Sequence, residues 1–404
     1  MIERKITVFI YLPGETVAVP AGIFTHTNQG IGFFAYGHRY VERHNALPVD
    51  PVALPLGKRP REVTINGGLY GSFRDAAPDY WGRLVIAEDA NVPPEALSEI
   101  DFLIGANATR AGNLDFRLSP EDSEPELVPP HFNQLAQVIE AAEKLQSGEK
   151  ITNHLLQLLR QGSSMGGARP KCTLEWKNSL WIAKFPAKGD TLNIPRLEYA
   201  TMLLARLCGI RIPEVCLFTA GEKDVFLIRR FDREKGESGW LRHGFLSVLS
   251  LMQWDERDRL RWDYPAIADI MRRYMTPTDI EELYRRMIFN ILVRNTDDHP
   301  RNHGVIIEGE KMSLSPAYDI VPTPVRFGVG TDFRLAMSIG EQGREATLKN
   351  ALSRSTRFGL SNGDAQAIVE QLLKITGNWR EHYEECGMSG REVDLLAPSF
   401  IALK

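Results

Sequence analysis

Apolar residues change their spacing along the chain, and this change limits the fold classes open to it. In the first 125 or so residues, short strand-like runs at 6–12, 16–24 and 31–36 are separated by Pro, Gly and Asn turns. After Gly239 the apolar residues recur mainly every three or four positions, which is typical of helices. The order predicts an α+β protein with a mixed α/β N-terminal part and a mainly α-helical C-terminal lobe.

Composition excludes several classes of protein. The 404 residues carry a formal net charge of -4, so no global basic field attracts nucleic acid. The four cysteines show no CxxC spacing, which favours buried thiols in a reducing compartment. No apolar run reaches the roughly 18 residues of a membrane span, and the N-terminus lacks a signal-peptide pattern. We therefore expect a soluble cytoplasmic protein without a membrane partner.

Boundary signals divide the chain into three parts. We predict a strand-rich subdomain at 1–125, a second part at 126–238 and a helical lobe at 239–404, with the acidic, Pro-rich segment SPEDSEPELVPP near the first boundary. The second part contains a glycine-rich loop, GSSMGGARPK, followed by a predicted hairpin that turns at Lys177-Asn178. A helix from Arg196 to about Cys208 comes next. This order suits a bilobal enzyme with a nucleotide cleft between its lobes.

The segment NTDDHPRNHGVIIEGEKMSLSPAYDI (295–320) carries the most chemistry. A helix precedes it, for which Thr278 and Glu281 fit a capping box. Asp297 and Asn302 lie five residues apart in a polar loop, and a short hairpin around Gly309 leads to Asp319. Because a hairpin returns the chain close to its starting point, we expect Asp319 near Asn302.

These residue types suit phosphoryl transfer. Mg²⁺ prefers oxygen ligands and shares its shell with substrate phosphates, which Asn302 and Asp319 would allow. A separate carboxylate, Asp297, can orient the attacking hydroxyl and accept its proton. The bland alternative is that these residues only form turns, as Asp and Asn often do.

Two features of the second part suit an anionic ligand. Lys184 alternates onto the same strand face as Leu180 and Ile182, where a cation needs a partner. A triphosphate would supply one, and Glu198 on the following helix could hold the ammonium group. The glycine loop, with Gly166, Gly167 and Ala168, could present backbone N–H groups to phosphates, although a flexible turn is the commoner meaning of such a run.

A metal hydrolase is a rival interpretation. His299 and His303 lie four residues apart and could bind a transition metal together with Asp297 or Asp298. Pro300 disfavours a continuous helix there, and no HExxH motif is present.

Five segments together resemble one known family. They are NTDDHPRN (295–302), LSPAYD (314–319), IRRFDR (228–233), MSIGEQGREATL (337–348) and FRDAAPDYWGRLVI (73–86). In this combination they resemble the HipA family, the serine/threonine kinase toxins of bacterial type II toxin–antitoxin systems. The resemblance implies a protein-kinase-like fold that uses ATP and Mg²⁺.

The resemblance also implies roles for single residues. Asp297 would be the catalytic base, Asn302 and Asp319 the magnesium ligands, Lys184 the contact to the ATP phosphates, and the backbone near Arg229 and Phe231 the contact to adenine. Ser164 of the glycine loop would be autophosphorylated, with Ser163 as the adjacent alternative, and this modification would shut the kinase off by charge repulsion.

Departures from the family pattern and the implied partners leave alternatives open. Arg301 replaces the usual Lys of the loop, and Arg169-Pro170 stands where some members have Gln-Glu. The resemblance implies a protein substrate, with an aminoacyl-tRNA synthetase as one candidate, and a small DNA-binding antitoxin through which DNA contact would be chiefly indirect. The alternative is a pseudokinase that acts as a co-repressor with an antitoxin.

Overall fold

The computed structural model describes residues 3–125, 127–163, 166–324 and 333–400. In these residues the strands are β1 (Glu3–Ile10), β2 (Val19–Thr27), β3 (Gly32–Tyr36), β4 (Arg61–Val63), β5 (Leu114–Arg117), β6 (Lys171–Trp176), β7 (Ser179–Lys184), β8 (Val215–Ala220), β9 (Lys223–Arg229), β10 (Arg233–Lys235), β11 (Trp240–Arg242), β12 (Gly244–Ser247), β13 (Gly304–Glu308) and β14 (Lys311–Leu314). The helices are α1 (His38–Val41), α2 (Gly71–Ala76), α3 (Tyr80–Asp89), α4 (Glu99–Gly105), α5 (Leu135–Ser147), α6 (Asn153–Gly162), α7 (Ile194–Leu207), α8 (Val248–Leu251), α9 (Tyr264–Met271), α10 (Pro277–Leu292), α11 (Leu348–Leu352), α12 (Asn362–Thr376), α13 (Trp379–Glu385) and α14 (Gly390–Leu396). This content confirms the predicted α+β class.

The chain forms two compact units. The first contains the residues up to 189 together with 227–255 and 306–310, and the second contains 190–226, 256–305 and the residues from 311 onward. The three-part division made from the sequence stays a prediction. Among the described residues, no helix combines the length and the apolar character that a membrane crossing requires.

The first unit begins with an antiparallel sheet of order β4-β3-β2-β1-β5. Its inner face is apolar, and helix α2 places the fully buried Phe73 against that face. The Phe73 ring meets Phe24, Phe34 and Phe116 edge-on, with centroids 5.1, 5.7 and 5.2 Å away. Such edge-to-face contacts add to the burial of large apolar rings, so this cluster stabilises the strand-rich part of the unit.

The strands that follow the glycine loop belong to a sheet of order β6-β7-β9-β8. Strands β6 and β7 form the predicted hairpin, with Lys177 and Asn178 at φ angles of 49° and 54°. Two consecutive positive φ angles are typical of a type I′ turn, which matches the twist of the strands it joins. Strand β9 lies on the other side of β7, and the N–H of Arg230 beyond it donates to the Leu180 carbonyl over 2.8 Å.

Helix α10 is the central helix of the second unit. Its apolar residues Leu283, Met287, Ile288, Ile291 and Leu292 are buried, and it packs against α9, α11 and α12. The predicted capping box at Thr278 and Glu281 is wrong. Thr276 caps the helix and Asp279 completes the box, because Pro277 occupies the first helical position that proline favours.

Residues 362–385 of the second unit form two helices. Helix α12 ends at Thr376 and α13 begins at Trp379, with Gly377 and Asn378 between them. The Thr201 hydroxyl of α7 bonds the buried Tyr383 hydroxyl of α13 over 2.6 Å. The break therefore lets α13 pack against α7 within this unit.

Candidate active site

The polar loop after α10 starts with a sharp turn. Arg294 adopts a φ of 54°, and the N–H of Asn295 donates to the Asn290 carbonyl over 2.9 Å. A left-handed residue with such a backward bond is a common way to end a helix. Thr296 is then held by its hydroxyl contact of 2.8 Å with Thr323. The turn and this contact fix the position of the backbone that leads from α10 to Asp297.

Asp297 and Asn302 lie in direct contact. The side-chain Nδ2 of Asn302 donates a hydrogen bond of 3.0 Å to the backbone carbonyl of Asp297. The backbone N–H of Asn302 donates to the His299 carbonyl over 2.8 Å. Because the amide nitrogen faces the backbone, the Oδ1 oxygen of Asn302 is left for another partner.

Asp319 lies close enough to Asp297 to influence its charge. Partial burial raises the pKa of the Asp297 carboxyl above its ordinary value; His299 lowers it and the Asp319 carboxylate raises it. The neighbouring Tyr318 hydroxyl donates to the Arg301 carbonyl over 2.8 Å, which ties this segment to the loop. Asp319 itself has a φ of 62°, and such left-handed conformations of non-glycine residues occur often at functional sites.

A buried network that the sequence did not reveal supports the loop from beneath. The Tyr264 hydroxyl donates to the Asp298 carboxylate, and the same carboxylate contacts His303 Nε2 over 2.8 Å. Tyr264 and His303 also lie in contact over 3.1 Å. Burial and the Asp298 carboxylate raise the pKa of Tyr264 well above its ordinary value, so it remains a neutral donor.

This network argues against the rival metal hydrolase. Asp298 and His303, two of the proposed transition-metal ligands, are buried and bonded to each other. In the described part of the chain no group of three or more His, Cys, Asp or Glu residues is placed to hold a metal ion.

In the first unit, Lys184 is buried opposite a second lysine. The hairpin register pairs Lys171 with Lys184, and both side chains are more than nine-tenths buried. Directly paired strand residues point to the same face, so two ammonium groups share one side of the sheet. Like charges placed in this way repel each other. Lys171 was not among the residues predicted from the sequence, although the turn at Lys177-Asn178 fixes this pairing.

The glycine loop is bound to the N-terminal helices of the first unit. The N–H of Gly167 donates to the Asp79 carboxylate over 2.7 Å, and the Trp81 indole nitrogen donates to the Lys171 carbonyl over 2.8 Å. Lys171 Nζ donates to the Gly166 carbonyl over 2.8 Å. Phosphate binding by Gly166, Gly167 and Ala168 stays a prediction, since the Gly167 amide is engaged by Asp79 here.

The two candidate phosphorylation sites, Ser163 and Ser164, follow helix α6 in sequence. Ser163 follows helix α6 directly and is buried, and its hydroxyl oxygen has no hydrogen-bond partner among the described residues. Ser164 lies outside the described residues. Modification of Ser163 would therefore require its side chain to become accessible first.

The remaining predicted contacts stay untested. Arg229 is exposed at the end of β9, and the Phe231 ring lies 6.3 Å from the Phe245 ring, but neither observation establishes an adenine contact. Glu198 is buried on α7 of the second unit, and its pairing with Lys184 stays a prediction.

Comparison with known proteins decides the family. Residues 163–379, more than half of the chain, match the model of the HipA-like C-terminal domain. The chain belongs to the HipA-like family. This result confirms the resemblance drawn from the sequence motifs.

Relatives of this HipA-like chain carry kinase names. It is 24% identical to the Sinorhizobium fredii protein named "Putative kinase Y4dM", over 79% of this chain and 78% of that protein. A second protein of this organism, "Putative kinase Y4mE", is also 24% identical, over 80% of this chain and 79% of its own length.

A solved structure shows the same fold across nearly the whole chain. It is the Shewanella oneidensis HipA, in a complex with HipB and operator DNA, with a TM-score of 0.67 and 16% identity. The match covers 97% of this chain and 95% of that protein. At this identity the likeness establishes the HipA fold.

Proposed function

We propose that the chain is an ATP- and Mg²⁺-dependent serine/threonine protein kinase. The observation that carries the proposal is the convergence of Asp297, Asn302 and Asp319 in the second unit, supported from beneath by Asp298 and Tyr264. A base beside two oxygen ligands is the arrangement that phosphoryl transfer to a hydroxyl needs. The kinase names of the relatives agree with this assignment.

Lysine ammonium groups would hold the nucleotide, and side-chain oxygens would hold the metal. Lys184 and Lys171 would neutralise the ATP phosphates, and the oxygens of Asn302 and Asp319 would hold Mg²⁺. When bound, Mg²⁺ supplies positive charge to the phosphate oxygens during transfer.

Asp297 would act on the protein substrate. Its exposed carboxylate would orient a serine or threonine hydroxyl and accept the hydroxyl proton. The substrate oxygen would form the new bond to the γ-phosphorus while the bond to the β-phosphate oxygen breaks, so that ADP leaves.

A serine of the glycine loop would also receive phosphate. Ser164 is the first candidate and Ser163 the second, as the family resemblance implies. The Ser163 hydroxyl is buried, so its phosphorylation would demand that the loop move first. A phosphate dianion beside Lys171 and Lys184 would then compete with ATP for the same charges and lower kinase activity.

We extend the proposal to a toxin that works with a small DNA-binding antitoxin. The support is the solved HipA structure, which contains HipB and operator DNA. With a net charge of -4, this chain lacks a global positive field of its own, so DNA contact would run chiefly through the partner. An aminoacyl-tRNA synthetase is one candidate substrate.

Transfer of labelled phosphate tests the kinase assignment. The purified chain would be incubated with γ-labelled ATP, Mg²⁺ and bacterial protein extract, beside the Asp297→Asn variant and a surface control, Asp258→Asn. We expect label in protein with the wild type and the control, and a loss of roughly 100-fold or more with Asp297→Asn. Binding of ATP without any transfer by the wild type would contradict the kinase and favour the pseudokinase co-repressor.

A further inference from the structure

The side chain of Asp79 does not cap α3, the helix that follows it. It occupies the N-cap position of α3, yet its side chain makes no capping hydrogen bond to that helix. An aspartate at this position usually accepts a bond from its own first turn. Instead, one carboxylate oxygen accepts from Arg74 over 2.8 Å and the other accepts from the Gly167 N–H over 2.7 Å. The residue therefore binds a segment 88 positions away in sequence.

Trp81 makes a second bond to the same segment. Its buried indole donates to the Lys171 carbonyl, and its backbone N–H lies 3.4 Å from the Gly167 carbonyl. Arg83 fixes the backbone around these residues by donating to the Pro78 carbonyl over 3.0 Å and by forming a two-pronged bond to Glu99. The bonds of Arg83 therefore hold the backbone that carries Asp79 and Trp81.

Gly167 has a conformation that few other residues could adopt. Its φ is 109°, and a Cβ atom added to it would lie 2.1 Å from Lys171 Nζ. Lys171 Nζ in turn donates to the Gly166 carbonyl. A left-handed glycine has more conformations to lose on ordering than other residues, so external bonds are needed to hold it.

We propose that Asp79 and Trp81 are positioning residues that hold the segment from Gly166 to Lys171 in place for the ATP phosphates. The proposal rests on the proposed kinase function. It assigns a role in ATP binding to residues that lie outside the region 163–379 matched by the family model. Asp79 and Trp81 would act on the nucleotide through the segment, because the bond from Gly167 to Asp79 and the bond from Trp81 to Lys171 both end on its backbone.

Amide hydrogen exchange tests the positioning directly. Exchange of the peptide that covers Gly166 to Lys171 would be measured without nucleotide in wild type, Asp79→Ala, Asp79→Asn and Trp81→Phe. We expect about tenfold faster exchange in Asp79→Ala, and a smaller increase in Asp79→Asn, which keeps an acceptor oxygen. Trp81→Phe keeps the apolar bulk and should also accelerate exchange.

A matched control separates local from general effects. Asp101 also belongs to an N-terminal helix turn of the first unit and bonds Arg4 and Ser98, away from this segment. Asp101→Ala should leave exchange of the Gly166 to Lys171 peptide unchanged. Equal exchange in wild type and Asp79→Ala, or equal acceleration in Asp101→Ala, would overturn the proposal.

Steady-state kinetics supply the second measurement. In Asp79→Ala we expect the KM for ATP to rise about tenfold while kcat changes less than threefold, with partial recovery in Asp79→Asn. Unchanged KM with faster exchange would overturn the link to ATP. Because the exchange experiment uses no nucleotide, a wild type without kinase activity would refute the proposed function, while faster exchange would still support the structural hold.

Discussion

Asn302 donates its side-chain amide to the backbone carbonyl of Asp297 over 3.0 Å. This bond joins the proposed metal ligand to the proposed base, so the two cannot move independently. If Asn302 holds Mg²⁺ through its Oδ1 oxygen as proposed, this hydrogen bond would couple metal binding to the position of the proposed base.

Loss of an oxygen ligand should raise the Mg²⁺ requirement. We expect Asn302→Ala and Asp319→Asn each to lower the apparent Mg²⁺ affinity by about tenfold or more, because Mg²⁺ would lose one of its two protein ligands. A Mg²⁺ titration of kinase activity at saturating ATP would measure this. Glu310→Gln, an exposed substitution in the hairpin turn between these two residues, should leave the titration unchanged. Identical curves for all four proteins would remove Asn302 and Asp319 from the metal site.

The buried Tyr264 hydroxyl should stabilise the second unit. Tyr264→Phe leaves the buried Asp298 carboxylate without one of its donors, so the free energy of unfolding should fall by about 1–3 kcal/mol. Tyr284→Phe is a matched control, since Tyr284 is equally buried but its hydroxyl has no hydrogen-bond partner in the part of the chain that the structure describes. Urea denaturation would compare the two. Equal losses of stability would show that the bond to Asp298 contributes nothing specific.

Lys184 should matter for ATP more than for folding. Lys184→Met removes a buried ammonium group, and we expect kcat/KM for ATP to fall by roughly 100-fold. Lys184→Arg should recover only part of this loss, because guanidinium is planar and broader than ammonium. The exposed Lys188→Met serves as a control near the same strand. Unaltered kcat/KM in Lys184→Met would remove Lys184 from the phosphate site.

Asp232 should give the first unit part of its acid sensitivity. Its buried carboxylate accepts hydrogen bonds from Arg230, Arg233 and the Gly112 N–H. Burial would raise the pKa of Asp232, but the two arginines outweigh it and hold the pKa well below the ordinary value of 3.8. A lowered folded-state pKa means that the stabilisation is present above about pH 4 and is lost as pH falls further.

The difference in the free energy of unfolding between wild type and Asp232→Asn should depend on pH. Asp232→Asn should lower the free energy of unfolding by about 3–5 kcal/mol at pH 7, and the gap to wild type should narrow below about pH 4. Asp89→Asn, which breaks a more exposed pair with Arg160, should cost less than about 1 kcal/mol. Denaturation at several pH values would measure both. A gap that stays constant down to pH 2 would contradict the ionic role of Asp232.

Local features were predictable from the sequence because neighbouring residues determine them. The turn at Lys177-Asn178 and the hairpin before Asp319 follow from short patterns of turn and strand residues. The helix start before the loop was misplaced by two residues, since both Thr276 and Thr278 offer a capping hydroxyl and Pro277 decides between them. The pairing of Lys171 with Lys184 could also have been predicted, because the position of the turn alone determines it.

Contacts between distant segments were not predictable. Asp79 and Gly167 are 88 residues apart, and Tyr264 and Asp298 are 34 residues apart. Spacing rules for helices and strands reach only a few residues, so nothing in either segment indicates its partner. The motif around Asp79 was visible as part of a family pattern, but its physical role required the fold.

Mass mapping of phosphate on the purified protein tests the central claim most directly. Wild type and Asp297→Ala would be treated with ATP and Mg²⁺, digested, and the peptide containing Ser163 and Ser164 examined. We predict phosphate on one of these serines in the wild type and none in Asp297→Ala, because transfer to a hydroxyl needs the Asp297 base. Phosphate at the same level in both proteins, or in neither, would contradict an Asp297-dependent kinase that modifies its own glycine loop.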